Sequence, residues 1–105
     1  MVKLVFFVPI NSVDDVLDAV FAAGAGQIGN YVNCCFKSEG LGQFMAKEGA
    51  NPKIGQIGKL EIVKEYRVET ICPEEKLDLV LNALKSAHPY EEPAIDVFKL
   101  YNKID

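Results

Sequence analysis

The sequence predicts a single α+β domain over residues 1–105, of β-α-β-β-α-β order: a four-stranded antiparallel sheet with two helices on one face. Three observations carry that prediction. An apolar run opens the chain, two stretches bear the stripe of an amphipathic helix, and extended segments lie between and after them.

Residues 3–8, Lys3-Leu4-Val5-Phe6-Phe7-Val8, are almost continuously apolar, as in a strand covered on both faces. Pro9 and Asn11 follow at once with no small-residue cleavage site, so a strand is preferred over a signal peptide. Val13, Val16, Leu17, Val20 and Phe21 then form a helical stripe. Ser12 is placed to cap that helix, Asp14 and Asp15 sit in its first turn, and Gly24 ends it. The glycines at 24, 26 and 29 follow a helix instead of opening one, so they do not form a dinucleotide-binding loop. Residues 31–37 alternate and read as the second strand, with Cys34 and Cys35 pointing to opposite faces.

Residues 38–58 read as a long ordered connection with five glycines and with Phe44, Met45, Ile54 and Ile57 interspersed. A connection of that length is expected to close over a ligand or to reach across a subunit boundary with Phe44 and Met45 as anchors; the intersubunit role is the preferred one. Residues 59–71 form a long strand with Leu60, Ile62, Tyr66 and Val68 on one face and Glu61, Glu65, Arg67 and Glu69 on the other. Pro73, Glu74 and Glu75 open a second helix whose buried stripe is Leu77, Val80, Leu81 and Leu84, and it stops before Pro89. Residues 94–100 are the last strand. Both helices on one face leave the other face of the sheet for a second subunit to cover.

A net charge of −4, with Lys and Arg unclustered, argues against nucleic-acid binding. No apolar run approaches the ~20 residues that span a bilayer. Three cysteines, an odd number with no Cys-x-x-Cys pair, suit structural thiols in a reducing cytoplasm.

The segment His88-Pro89-Tyr90-Glu91-Glu92-Pro93 holds the only histidine and is a shaped corner, since no helix runs through it. Two readings stay open. His88, Glu91 and Glu92, with Cys35, are candidate ligands for a divalent metal such as zinc or copper. Alternatively His88 caps the helix end and the glutamates meet backbone N–H groups or another subunit. Glu61 and Glu65, spaced by four, are further candidates for a ligand or interface role, as are Tyr31 and Tyr90; cross-strand pairing with lysines is the plainer reading of the glutamates. No nucleophile–base pair is present, so the expectation is a non-enzymatic module.

Four ordered motifs, Gly26-x-Ile28-Gly29-x-Tyr31-x-x-Cys34-x-Phe36, Gly40-x-Gly42-x-Phe44, Gly58-x-Leu60-Glu61-x-Val63-x-Glu65-x-Arg67 and His88-Pro89-Tyr90-Glu91-Glu92-Pro93-Ala94-x-Asp96, resemble the domain inserted in YqfO-type (NGG-interacting-factor-like) proteins. The corner is also similar to that of CutA, the divalent-cation-tolerance protein. The resemblance implies a ferredoxin-like, PII/CutA-like fold, a homo-oligomer (a trimer favoured, a dimer the alternative), and binding of a small ligand or a metal cation. Full-length YqfO-type proteins carry a two-metal site in flanking halves that this sequence does not contain. Hydrolase or cyclohydrolase activity is therefore the weakest expectation.

Overall fold

The computed structural model describes residues 1–101; residues 102–105 of the expected domain lie outside the described residues. Four strands, β1 (Val2–Pro9), β2 (Phe36–Met45), β3 (Leu60–Cys72) and β4 (Ile95–Lys99), and two helices, α1 (Val13–Ala22) and α2 (Leu77–Ala87), follow in β-α-β-β-α-β order. The sheet is antiparallel with order β2-β3-β1-β4, so β1 is a central strand. Its apolar run is explained by that position. Leu4, Phe6 and Val8 face the helices, while Val5 is buried on the opposite side.

The core lies between β1, the inner half of β3, and the two helices. Val16 and Val20 of α1 meet Val80 and Leu84 of α2, over Phe6, Val68 and Cys72. The predicted stripes of both helices point there, although Leu77 and Leu81 are only partly buried. Two details differ from expectation. The Ser12 backbone carbonyl accepts the Val16 N–H, but its hydroxyl makes no cap bond and turns to Asn11 instead. The first turn after Pro73, Glu74–Lys76, is a 3-10 turn that precedes α2.

The second strand is the main correction. It does not occupy residues 31–37; it begins at Phe36 and runs through most of the segment expected to be a connection. A tight turn closed by the Ile28–Tyr31 bridge and a positive φ of 59° at Asn33 break the earlier stretch, so Cys34 and Cys35 lie before the strand and not on it. Gly40 and Gly42 disguise the true strand, because glycine is depleted in strands. At Gly42 the reason for glycine is packing: a Cβ there would collide with Oε1 and Cδ of Glu65. Residues 46–58 remain irregular, tied back by the parallel bridge between Ala46 and Ile57.

β2 and β3 form a hairpin that projects beyond the helices, giving the molecule dimensions of 49 × 24 × 23 Å. Past the helices one side of it carries exposed Leu41, Met45, Leu60 and Ile62. The far side of the sheet was expected to wait for another subunit. The chain itself roofs part of it, because residues 50–54 and the corner at 90–94 surround Phe7 and Glu65. Among the described residues no helix is long and apolar enough to cross a membrane.

Gly42→Ala should destabilise the fold by about 1–3 kcal/mol, since the new methyl must drive the Glu65 carboxylate from its buried position. Gly40→Ala, where nothing lies within 4 Å of an added Cβ, should show none of that loss. Chemical denaturation of the two variants distinguishes them.

Candidate functional site

The corner after α2 begins at His88, whose backbone N–H bonds to the Leu84 carbonyl at 2.9 Å while its own ψ of 138° leaves the helix. A residue before proline is held to such extended angles, so Pro89 fixes the exit. The imidazole is only 2% exposed. It is buried there because β1 needs it. Met1, an odd residue of β1's register, turns its carbonyl toward β4, and so does Phe7; β4 pairs no further than Phe6. His88 Nε2 meets the Phe7 carbonyl at 2.6 Å in place of a strand partner. Nδ1 accepts the Tyr90 N–H at 3.1 Å, so the ring proton sits on Nε2 and is donated to Phe7. Burial pushes the imidazole pKa down, against smaller upward effects from the Phe7 hydrogen bond and the Glu65 charge.

That hydrogen bond from Tyr90 also aims its side chain. The phenol donates to Glu65 Oε2 at 2.5 Å, and its ring meets Phe44 edge-on with centroids 5.3 Å apart. Burial, followed by the bond to Glu65, raises the Tyr90 pKa far above the usual phenol range, so the hydroxyl remains a donor. Glu65 itself is 8% exposed. Gly42 across the hairpin leaves the space its carboxylate fills. Above these groups opens a pocket of about 460 Å³, walled by Phe7, Phe44, Tyr90 and Glu65 and bordered by Lys53 and Ile54. Its size lies within the range of small-molecule sites. Glu91 and Glu92 stand at its rim, and Glu91 Oε1 accepts the Asn51 N–H at 3.0 Å, joining the corner to the irregular segment.

Some sequence candidates meet here and others do not. Glu65, Tyr90, Phe44, Glu91 and Glu92 share the pocket. Phe44 contacts Tyr90 of its own chain and is not an exposed anchor, whereas Met45, the next residue on the pleat, points to the opposite side and is exposed. Tyr31 is 75% exposed in the turn before β2 and is not part of the pocket lining. The three spaced glutamates diverge. Glu69 pairs with Lys3 and Arg67, Glu61 packs beneath Gly55, and only Glu65 is drawn inside.

Among the described residues the candidate metal ligands do not come together in a single copy. Both ring nitrogens of His88 are engaged, and Cys35 precedes Phe36, which pairs with Glu69 at the end of the ladder, four residues along the strand from the Gly40–Glu65 pair. Among the described residues no three His, Cys, Asp or Glu side chains are grouped to hold a metal ion. Burial pushes the Cys35 and Cys72 thiols up, which makes them weak nucleophiles. Phe7, Gly42 and Asn51 belong to the site and were missed by sequence reasoning. Gly42 was legible only as a glycine wanting a reason.

His88 makes stability depend on pH. Its folded pKa lies below the ordinary value of about 6.5, so its contribution is complete above that pH and declines as pH falls through it. In His88→Gln, which does not titrate, the melting temperature should fall less steeply between about pH 7 and 5 than in the wild type. Parallel curves for the two proteins would contradict the assignment.

No family model matches the chain. It is 50% identical over 101 residues to the "GTP cyclohydrolase 1 type 2 homolog" of Halalkalibacterium halodurans, a match covering 96% of this chain and 27% of that protein. A Bacillus cereus protein related to NIF3 superposes with a TM-score of 0.81 at 46% identity, over 96% of this chain and 26% of its own. The divalent cation tolerance protein CutA of Archaeoglobus fulgidus superposes with a TM-score of 0.69 at 16% identity, over 99% of this chain and 88% of its own, and so shares the fold. The chain spans about a quarter of the length of the curated relatives it matches. It is thus similar, over nearly its whole length, to one segment of the GTP cyclohydrolase 1 type 2 homologs, folded as CutA is.

Proposed function

We propose that this domain is a non-enzymatic regulatory module that binds a small ligand in the pocket over Glu65 and acts as a homo-oligomer. The observation that carries the reading is the pocket. Three aromatic rings and an interior carboxylate are held around a small-molecule-sized space by hydrogen bonds from a rigid corner. Such a site binds and positions; the hydroxyl that does meet a carboxylate, Tyr90 on Glu65, is held protonated and is not activated as a nucleophile. A cyclohydrolase-type activity would belong to a longer protein, since the relatives bearing that name are about four times this chain's length.

The oligomer is supported by apolar surface that a single copy leaves in water. Leu41, Met45, Leu60 and Ile62 form a strip on the projecting hairpin, and Phe36 and Phe98 are exposed elsewhere on the sheet. Strips of this kind on a small domain are normally covered by another chain. Three copies is the assembly expected from the sequence resemblance, with two the alternative. Divalent-cation binding is the second reading, suggested by the CutA fold and by Glu91 and Glu92 at the rim. It calls for donors from a second copy, because the described residues of one copy do not gather them.

Light scattering should find more than one copy of the wild-type chain per particle and a single copy of Ile62→Lys. A monomeric wild type would overturn the assembly. A thermal-shift screen of small metabolites should yield a saturable ligand whose affinity falls about tenfold or more in Phe44→Ala; tenfold is about 1.4 kcal/mol, the scale of one lost aromatic wall.

A further inference from the structure

Among the described residues the interior carboxylate has no counter-ion. Glu65 is 8% exposed, yet among the described residues no Lys, Arg or His nitrogen lies within 4.0 Å of it. Lys64, next in sequence, projects from the opposite face of the sheet, and the cations on the face of Glu65 or at its pocket are committed elsewhere or stand off. Arg67 turns its Nε to Glu69 at 3.5 Å and its guanidinium over the Phe7 ring at 5.8 Å, Lys53 remains at the pocket border, and His88 is occupied by Phe7 and Tyr90. Among the described residues the one hydrogen bond the carboxylate receives is from the Tyr90 hydroxyl, on Oε2. Among the described residues no fully buried side-chain oxygen is left without a partner, so Oε1, which receives no hydrogen bond, keeps some exposure; it lies against Gly42, at the wall of the pocket.

A carboxylate withdrawn from water is costly unless it is paired with positive charge. The walls suit the same partner. Phe7, Phe44 and Tyr90 present π systems, and aromatic rings attract cations, as Arg67 over Phe7 already illustrates in this chain. The rim adds Glu91 and Glu92 against Lys53 alone. A metal ion is a poorer counter-ion here, because the pocket offers no three-donor set.

From this we infer that the pocket takes a small organic cation: an ammonium or guanidinium group whose N–H donors meet Glu65 Oε1, carried on an apolar or aromatic body that lies among Phe7, Phe44 and Tyr90. The inference rests on the pocket being the ligand site proposed above, and it names the chemical class of what enters. Gly42 is then a requirement of recognition as well as of packing, because it makes room for the carboxylate that reads the charge.

The test uses the intact chain and three matched probes: benzylammonium, benzyl alcohol and benzoate, with zinc chloride as a fourth arm. Titration followed by amide resonances should show saturable binding of benzylammonium at Gly42 and Tyr90, about tenfold or more tighter than the alcohol or benzoate. Glu65→Gln keeps the side chain's shape and an acceptor for Tyr90, and it should lose that preference. The charge selectivity of the wild-type chain stands as a test even if this variant fails to fold. Equal binding of the alcohol or benzoate, a response to zinc alone, or a benzylammonium response unchanged in Glu65→Gln overturns the cation assignment. If the metabolite screen yields a pocket ligand while benzylammonium does not bind, the assignment falls and the pocket reading stands. If nothing binds the pocket in either experiment, both fall.

Discussion

The arrangement of this domain hangs on one backbone carbonyl. β1 is central, yet β4 stops pairing at Phe6, so the oxygen of Phe7 has no strand partner on that side. An orphaned acceptor in such a place costs on the order of 1–3 kcal/mol. The His88 imidazole reaches across from the end of α2 and supplies the donor. Everything downstream follows from that reach. The helix must end there, the ring must stay neutral, Nδ1 must take the Tyr90 N–H, and the phenol is thereby delivered to Glu65. A side chain that looks like a metal ligand in the sequence is in the structure a substitute for a missing strand.

The corner and the hairpin meet over Glu65 from opposite directions. From β2, Gly42 withdraws so that the carboxylate fits and Phe44 advances to form a wall. From the corner, Tyr90 supplies a hydroxyl held protonated by its surroundings. The irregular residues between β2 and β3 close the third side, fastened to the corner by the Asn51–Glu91 bond. Three segments far apart in sequence thus converge on one enclosed volume, and a scaffold of this kind orders a site before any ligand arrives.

Much of the fold was legible because its signals are local. The apolar run of β1, the helical stripes ending in Phe21 and Leu84, and the prolines at 73 and 89 each announce an element without reference to the rest. The second strand was not legible. Its alternation is interrupted by Gly40 and Gly42, whose justification lies across the sheet, while residues 31–37 alternate by accident in a stretch that turns. The site suffered the same limit. Glu61, Glu65 and Glu69 are equivalent by spacing, and only the register distinguishes them, since Glu61 opposes Phe44, Glu65 opposes Gly40 and Glu69 opposes Phe36. The histidine corner was visible as a feature, but its role depended on where β4 ends, a length that propensity does not fix.

The pleat of β2 divides its residues between two tasks: Leu41 and Met45 project to one surface, Gly42 and Phe44 to the other. Because side chains alternate with a period of two, the length of this ribbon is fixed to the residue. Adding or deleting a single amino acid between Gly40 and Met45 would exchange the two sets, thrusting an aliphatic chain toward the acid and turning an aromatic ring out to solvent. Divergence along this strand is therefore free to change side chains, but a change in count would disturb both surfaces at a stroke.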